Sequence, residues 1–393
     1  MAARRIAALL ATASIFSAAT AAEAVEDSSC GCFLSNGTNP GYYAQHAFFD
    51  FRQLSQHAGV PDVVEDSASV ASAPVSSDFF KSDAWTSVWG IESWDNSKSS
   101  LSSDATVYMI NSPSNIYIEK ANSSSGSDGY EDTAATFLTM RTKRLPDFQT
   151  AAEFQTAGAG YQFLSLRMRA RTVGAPGAVT AMFTYRGDDD PAKVQEADVE
   201  VLTRDPRSVI QYTNQPSDLP DKGEIAAATR NATLPGGVAW SDWAVHRLDW
   251  TPERSVWYVD GREVASIALQ VPRDPAAVNF NAWSDGGSWS GNMTVGDEAS
   301  LQIQWIEMLY NSTETADKRS LGASTGGSRV VRRGGTHSAC KVVCTIDDTA
   351  EVGRAALAFN STGSGATSNT RVAGVGGVLT FGWGVAAVLY TIL

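Results

Sequence analysis

Along most of the chain, apolar side chains come in short runs that alternate with polar ones, and no extended amphipathic helix stands out. Between Phe48 and Ile306 such runs are expected as strands at 107–110, 115–119, 136–142, 162–171, 179–185, 197–203, 209–212, 245–250, 255–259, 264–268 and 301–308. Each shows alternation or an enrichment in β-branched and aromatic residues. Turn residues separate several of them, as in Gly174-Ala-Pro-Gly177 and Asp260-Gly261. A short helix is expected at 147–155. One sheet of so many strands leaves a face uncovered, so the pattern predicts an all-β, two-sheet sandwich of jelly-roll type.

The ends follow different rules. Arg4 and Arg5 precede an apolar run, and Ala22-Glu23-Ala24 suits cleavage, so 1–24 is expected to be a signal peptide. Residues 25–79 read as a Cys-containing lead-in with the first strands, and 80–313 as the β-jelly-roll domain. A Ser/Gly/Thr-rich linker carrying a cysteine pair is expected at 314–371. Residues 372–393 are uncharged and apolar behind a small-residue stretch and a polar spacer, the pattern of a GPI signal, with Asn360, Ser361 and Gly363 as candidate attachment residues. The alternative, a spanning helix, lacks a basic flank and is interrupted by Gly374, Gly376, Gly377, Gly382 and Gly384.

Sequons at Asn36, Asn122, Asn231, Asn292, Asn311 and Asn360 agree with secretion. So do the four cysteines, Cys30, Cys32, Cys340 and Cys344, which are expected to form two disulfides joining the N- and C-terminal segments. Zinc is the weaker reading for an extracellular chain. The net charge of −13 argues against nucleic acid or anionic membrane surfaces as partners and is compatible with a neutral polymer. The 11 Trp supply flat apolar rings with a polar edge, suited to sugar faces as well as to a core.

The strongest chemical signal lies at 195–202, Gln-Glu-Ala-Asp-Val-Glu-Val-Leu. On a strand, Glu196, Asp198 and Glu200 share one face while Ala197, Val199 and Val201 take the other. Lining up three like charges costs folding free energy. Two carboxyls across a glycosidic bond are the minimum for its cleavage. The Cα atoms of Glu196 and Glu200 are expected about 13 Å apart, so both side chains must lean inward over a concave sheet. The bland readings are a solvated acidic face or a calcium site, although calcium prefers more oxygen ligands from a loop.

The segment Glu196-Ala-Asp-Val-Glu200 resembles the catalytic signature of glycoside hydrolase family 16, jelly-roll β-glucanases and transglycosylases related in fold to concanavalin A-like lectins. His246-Arg-Leu-Asp-Trp-Thr-Pro-Glu253 with Trp257-Tyr-Val-Asp-Gly261, and Asn281-Ala-Trp-Ser-Asp-Gly-Gly-Ser-Trp-Ser-Gly291, resemble its later segments in the right order. The whole layout is similar to that of GPI-anchored fungal cell-wall members. The resemblance implies Glu196 as nucleophile, Asp198 as its assistant and Glu200 as acid/base. Ala197 departs from the branched aliphatic more usual there. A one-residue insertion before the last Glu is absent, which leans toward broad β-glucanases and transglycosylases.

Around this strand, Tyr212, Asn214 and Gln215 are candidate substrate-binding residues if the next strand runs antiparallel beside it. The alternative places Tyr212 in the core and the two amides at a turn. Trp283 and Trp289, amid Gly and Ser, are candidate sugar-stacking rings. Of Trp89 and Trp94, one is expected in the core, along with Trp250, Trp257 and Trp305. His246 reads as a hydrogen-bonded strand histidine, because no serine-hydrolase signature accompanies it. No metal cluster or phosphate loop is evident, and no cofactor is expected. The expectation is a monomeric surface enzyme acting on cell-wall β-glucan by double displacement, with hydrolysis and transfer both open. A non-catalytic lectin-like protein or a structural adhesin are the alternatives.

Overall fold

The computed structural model describes residues 22–96, 104–121, 134–219, 223–313, 328–331, 340–347, 349 and 351–361. Its centre is an antiparallel concave sheet made of β1 (Trp89–Ile91), β2 (Gln149–Thr156), β3 (Val179–Arg186), β4 (Gln195–Leu202), β5 (Val209–Gln215), β6 (Thr229–Thr233) and β7 (Ala277–Trp283). In space the order is β1-β2-β7-β3-β4-β5-β6. A second layer covers its inner face. There Tyr161–Gly174 lies between Ala244–Trp250 and the long strand Glu298–Ser312. The latter pairs with Thr136–Arg144 at one end and Gln45–Asp50 at the other.

Period-two alternation explains the sandwich. In β4, Ala197, Val199 and Val201 enter the core between the layers, where they join Leu166, Met182, Trp257 and Phe280. Trp89, Trp250, Trp257 and Trp305 are buried. Large aromatic rings interlock at one end, with Trp85, Trp89, Phe154 and Phe280 in edge-to-face and stacked contacts.

The helix expected at 147–155 is instead β2. Ala152 and Phe154 point into the core while Glu153 and Gln155 point out, a strand alternation disguised by alanines.

The linker expected at 314–371 is also revised. Ser328–Val331 pairs with Gln45–Asp50, and Val342–Thr345 and Ala355–Asn360 join a separate small sheet with Ala24–Val25, Cys32–Leu34 and Tyr42–Tyr43. Two disulfides, Cys30–Cys344 and Cys32–Cys340, staple that sheet across separations of 314 and 308 residues. Closing such long loops restricts the unfolded chain. Its apolar side, with Phe33, Tyr43 and Ile346, packs on Leu309 of the outer layer.

A buried charged seam completes this contact. His46 sits between Asp27 and Glu307, with both ring nitrogens 3.0 Å from a carboxylate oxygen. Arg167 and Arg247 reach Asp347 at 2.7 and 3.6 Å.

Asn36, Asn231, Asn292 and Asn360 are exposed, whereas Asn311 is half-buried and accepts a hydrogen bond from the Ala44 backbone N–H. Asn122, Gly363, residues 1–21 of the expected signal peptide and the apolar tail lie outside the described residues. Among the described residues no helix is long and apolar enough to cross a membrane.

Candidate active site

The outward face of β4 forms the floor of a cleft of about 410 Å³, also lined by Glu153, Asn281, Trp94 and Trp283. Glu196, Asp198 and Glu200 all reach it, while the intervening residues fill the core. Cross-strand pairing sets their neighbours. Tyr185 lies opposite Glu196, Phe183 opposite Asp198 and Ala181 opposite Glu200. The small Ala181 leaves space beside Glu200, whereas the two rings wall the other end.

Burial dominates the electrostatics. Asp198 is only 2% exposed. Loss of water raises the pKa of Glu196 to about 8; the hydrogen bond with Asp198 pulls it down, and the charges of Glu200 and Glu153 push it up. Asp198 is held well above its usual range by burial, then by the charges of Glu196 and Glu200 and by its hydrogen bond to Glu196. That shared bond acts in opposite directions on its two partners. Asp198 therefore keeps the proton and donates, and Glu196 ionises first. Glu200 is raised to about 7 by burial, against a hydrogen bond from Trp289.

Several contributors were not picked out from the sequence. Glu153 on β2 lies opposite Asn281, and its carboxyl is raised to about 7 by burial and the charge of Glu92, against a hydrogen bond from Trp94. Its signal, an acid alternating with Ala152 and Phe154, is clear only once 149–156 is read as a strand. Asn111 comes from the distant segment Met109–Asn111 and has no local motif. Among the described residues, buried Asn111 Nδ2, Asp198 Oδ1, Asn279 Nδ2 and Asn281 Oδ1 have no hydrogen-bond partner. A cluster of unpaired donors and acceptors is costly unless a polar ligand pairs with them.

Trp283 lines the cleft and Trp94, 45% exposed, forms part of its wall. Trp289 stands near Glu200 and donates its indole N–H to Glu200 Oε1 at 3.1 Å. Other expected binding residues are corrected by register. Tyr212 lies opposite Val199 and Asn214 opposite Ala197, so both share the core face of the sheet. Tyr212 packs against Trp257, and Asn214 donates to the Leu269 carbonyl. Gln215 lies opposite Glu196, but its side-chain oxygen accepts from the Ser217 N–H, a turn contact outside the cleft lining. His246 differs in detail from its reading. Burial depresses its pKa to about 4 against the charge of Asp260, and among the described residues Nδ1 has no partner. No group of metal-ligating side chains occurs among the described residues.

Comparison with known proteins bears on this geometry. Residues 114–307, which include the cleft floor, match the model of the family described as Glycosyl hydrolases family 16. Over these residues the chain is similar to glycoside hydrolase family 16. It is 27% identical over 150 residues to a beta-glucanase of Bacillus licheniformis, covering 37% of this chain and 57% of that protein. A beta-glucanase of Acetivibrio thermocellus is 28% identical over 155 residues, with 39% and 43% covered. The chain spans about half the length of these curated relatives. Among solved structures, a β-1,3-1,4-glucanase (lichenase) from a mouse hindgut metagenome aligns with TM-score 0.43 and 19% identity, covering 68% of this chain and 99% of that one. An endo-β-1,3-glucanase from Pyrococcus furiosus gives TM-score 0.43 and 20% identity, with 57% and 89% covered.

Proposed function

We propose that the protein is a retaining endo-β-glucanase that cleaves internal bonds of a β-glucan lying across the concave sheet. The observation that carries this reading is the buried Glu196–Asp198–Glu200 trio on the floor of an open, Trp-walled cleft. Asp198 keeps its proton, donates a hydrogen bond to Glu196 and holds that carboxylate in place. Glu196 attacks the anomeric carbon as Glu200 protonates the departing glycosidic oxygen, which gives a glycosyl-enzyme on Glu196. Glu200, now ionised, takes a proton from the incoming acceptor, whose oxygen displaces Glu196. Unpaired amides of Asn111, Asn279 and Asn281 suit sugar hydroxyls, and Trp283 and Trp94 suit sugar faces.

Water as acceptor gives hydrolysis; a second glucan end gives transfer. The family resemblance supports both, and it supports a cell-wall setting with a GPI anchor. Two disulfides agree with export. Asn360 ends a paired strand and Ser361 donates its backbone N–H to the Lys341 carbonyl, which argues against these two as attachment residues.

The test is incubation of the full chain with β-1,3-, β-1,4- and mixed-linkage gluco-oligosaccharides, with product lengths read by chromatography. Shorter products support hydrolysis, and products longer than the donor support transfer. Unchanged substrates in every case would leave only a sugar-binding role.

A further inference from the structure

Trp289 was singled out from sequence as a ring for stacking, yet its polar edge is spoken for. The indole N–H meets Glu200 Oε1 at 3.1 Å, and among the described residues no other donor reaches that carboxyl. The ring is 39% exposed, so side-chain packing alone does not fix it. Its loop is fixed instead through the backbone.

The clamp comes from segment 104–107. Thr106 and Val107 both donate backbone N–H groups to the Asp285 carbonyl at 2.9 Å, and the Thr106 hydroxyl donates to the Gly286 carbonyl at 3.0 Å. Asp104 accepts from the Ser288 N–H at 2.9 Å and from the Ser288 hydroxyl. Inside the loop, Asp285 Oδ1 accepts from Gly287 N–H and Ser290 Oγ, both at 2.9 Å. Gly286 has φ +69°, and a Cβ there would collide with Thr106. So many bonds converging on one exposed turn fix the direction of the side chain at its end.

From this we infer that Trp289 is a positioning residue for Glu200: the clamped loop aims its indole N–H at one carboxylate oxygen, orienting that carboxyl and favouring its ionised form. The inference rests on the reading of Glu200 as the acid/base. A donor bonded to the ionised form assists the step in which Glu200 must act as a base, and it restrains the carboxyl from rotating between steps. Other titratable groups line the cleft with Glu200: Glu196 and Asp198 on its own strand, Tyr185 on β3 and Glu153 on β2. Asp205 lies behind Gln211, the residue opposite Glu200 on β5, and accepts a hydrogen bond from the Gln211 side-chain N–H at 3.0 Å. None of these is altered by a change at Trp289.

The test uses the full chain labelled with 13C at glutamate carboxyls, with the Glu200 signal assigned by its loss in Glu200→Gln. In Trp289→Phe the ring shape is kept and the donor removed. Its Glu200 titration midpoint is expected to rise by roughly one pH unit relative to wild type. Asp104→Ala keeps the indole but loosens the loop, and a smaller shift in the same direction is expected. An unchanged or lowered midpoint in Trp289→Phe overturns the inference. Because this readout needs no turnover, it separates from the functional reading. Cleavage of β-glucan with an unmoved midpoint refutes the positioning role alone. A raised midpoint in a chain inert toward every glucan upholds the contact and refutes the activity.

Discussion

Glu153 and Glu200 stand on one cross-strand row of the concave sheet, separated by Asn281 on β7 and Ala181 on β3. Each accepts a hydrogen bond from a tryptophan, Trp94 at one end and Trp289 at the other. Neighbouring strands lie about 4.8 Å apart, so the row crosses roughly 14 Å of cleft floor. Acid, amide, gap and acid along that line give a polysaccharide several polar contacts beside the bond to be broken.

On the proposed reading, Glu200 as acid/base sets the alkaline limit of activity. Its folded pKa is raised from 4.5 to about 7, chiefly by burial. As proton donor it is competent below that value and is lost as pH rises through it. Turnover on β-glucan is expected to fall on the alkaline side as Glu200 loses its proton and on the acid side as Glu196 gains one. Glu200→Gln should lower kcat by about 10²- to 10⁴-fold on natural glucan. The loss should be much smaller for an aryl glycoside whose leaving group needs no proton. An alkaline limb that survives in Glu200→Gln contradicts the assignment.

Asp198 trades stability for chemistry. Its folded pKa lies well above the unfolded value of 3.8, so the folded state holds the extra proton. That contribution is full below the unfolded pKa and is lost as pH rises through the folded one. Asp198→Asn removes the cost of burying this acid. Its Tm should match wild type in strong acid and exceed it increasingly toward neutrality, while kcat falls at least about tenfold. Equal melting curves at every pH are the contrary result.

His46 makes the seam beneath the small sheet pH-sensitive. Burial opposes its charge, but hydrogen bonds to Asp27 and Glu307, with their charges, outweigh burial and raise the pKa from 6.5 to about 9. The stabilisation is complete below 6.5 and vanishes as pH climbs through about 9. Thermal melts of wild type and His46→Gln should therefore differ most at low pH and converge above the raised pKa. A difference constant with pH counts against the ion-paired histidine.

Tyr212 and Trp283 separate core from cleft. Tyr212 is 1% exposed and among the described residues its hydroxyl has no partner, so Tyr212→Phe should leave KM unchanged and hold or raise Tm. Trp283 lines the cleft, and Trp283→Ala should raise KM severalfold, with little change in Tm. Reversal of the two effects would mean that the sheet register places the wrong residues in the groove.

The strand alternation was enough to read the sandwich and the common face of Glu196, Asp198 and Glu200. Period-two geometry needs no partner to be legible. Pairing register was not legible. Tyr212 and Asn214 follow the catalytic strand closely, but which face they share with it depends on a cross-strand alignment that local sequence leaves open. Glu153 and Asn111 were missed for a related reason, since long-range sheet contacts bring them to the trio. The C-terminal strands were hidden by polar neighbours, and their order comes from disulfides to Cys30 and Cys32.

The central claim is that Glu196 forms a covalent bond with the sugar. The direct measurement is mass spectrometry of peptides from the full chain after reaction with an activated 2-deoxy-2-fluoro-β-gluco-oligosaccharide, which slows breakdown of the intermediate. The expected result is one sugar adduct on the peptide containing Glu196, absent in Glu196→Gln and lost on adding acceptor oligosaccharide. An adduct on a different carboxylate, or steady cleavage of glucan by Glu196→Gln, would contradict it.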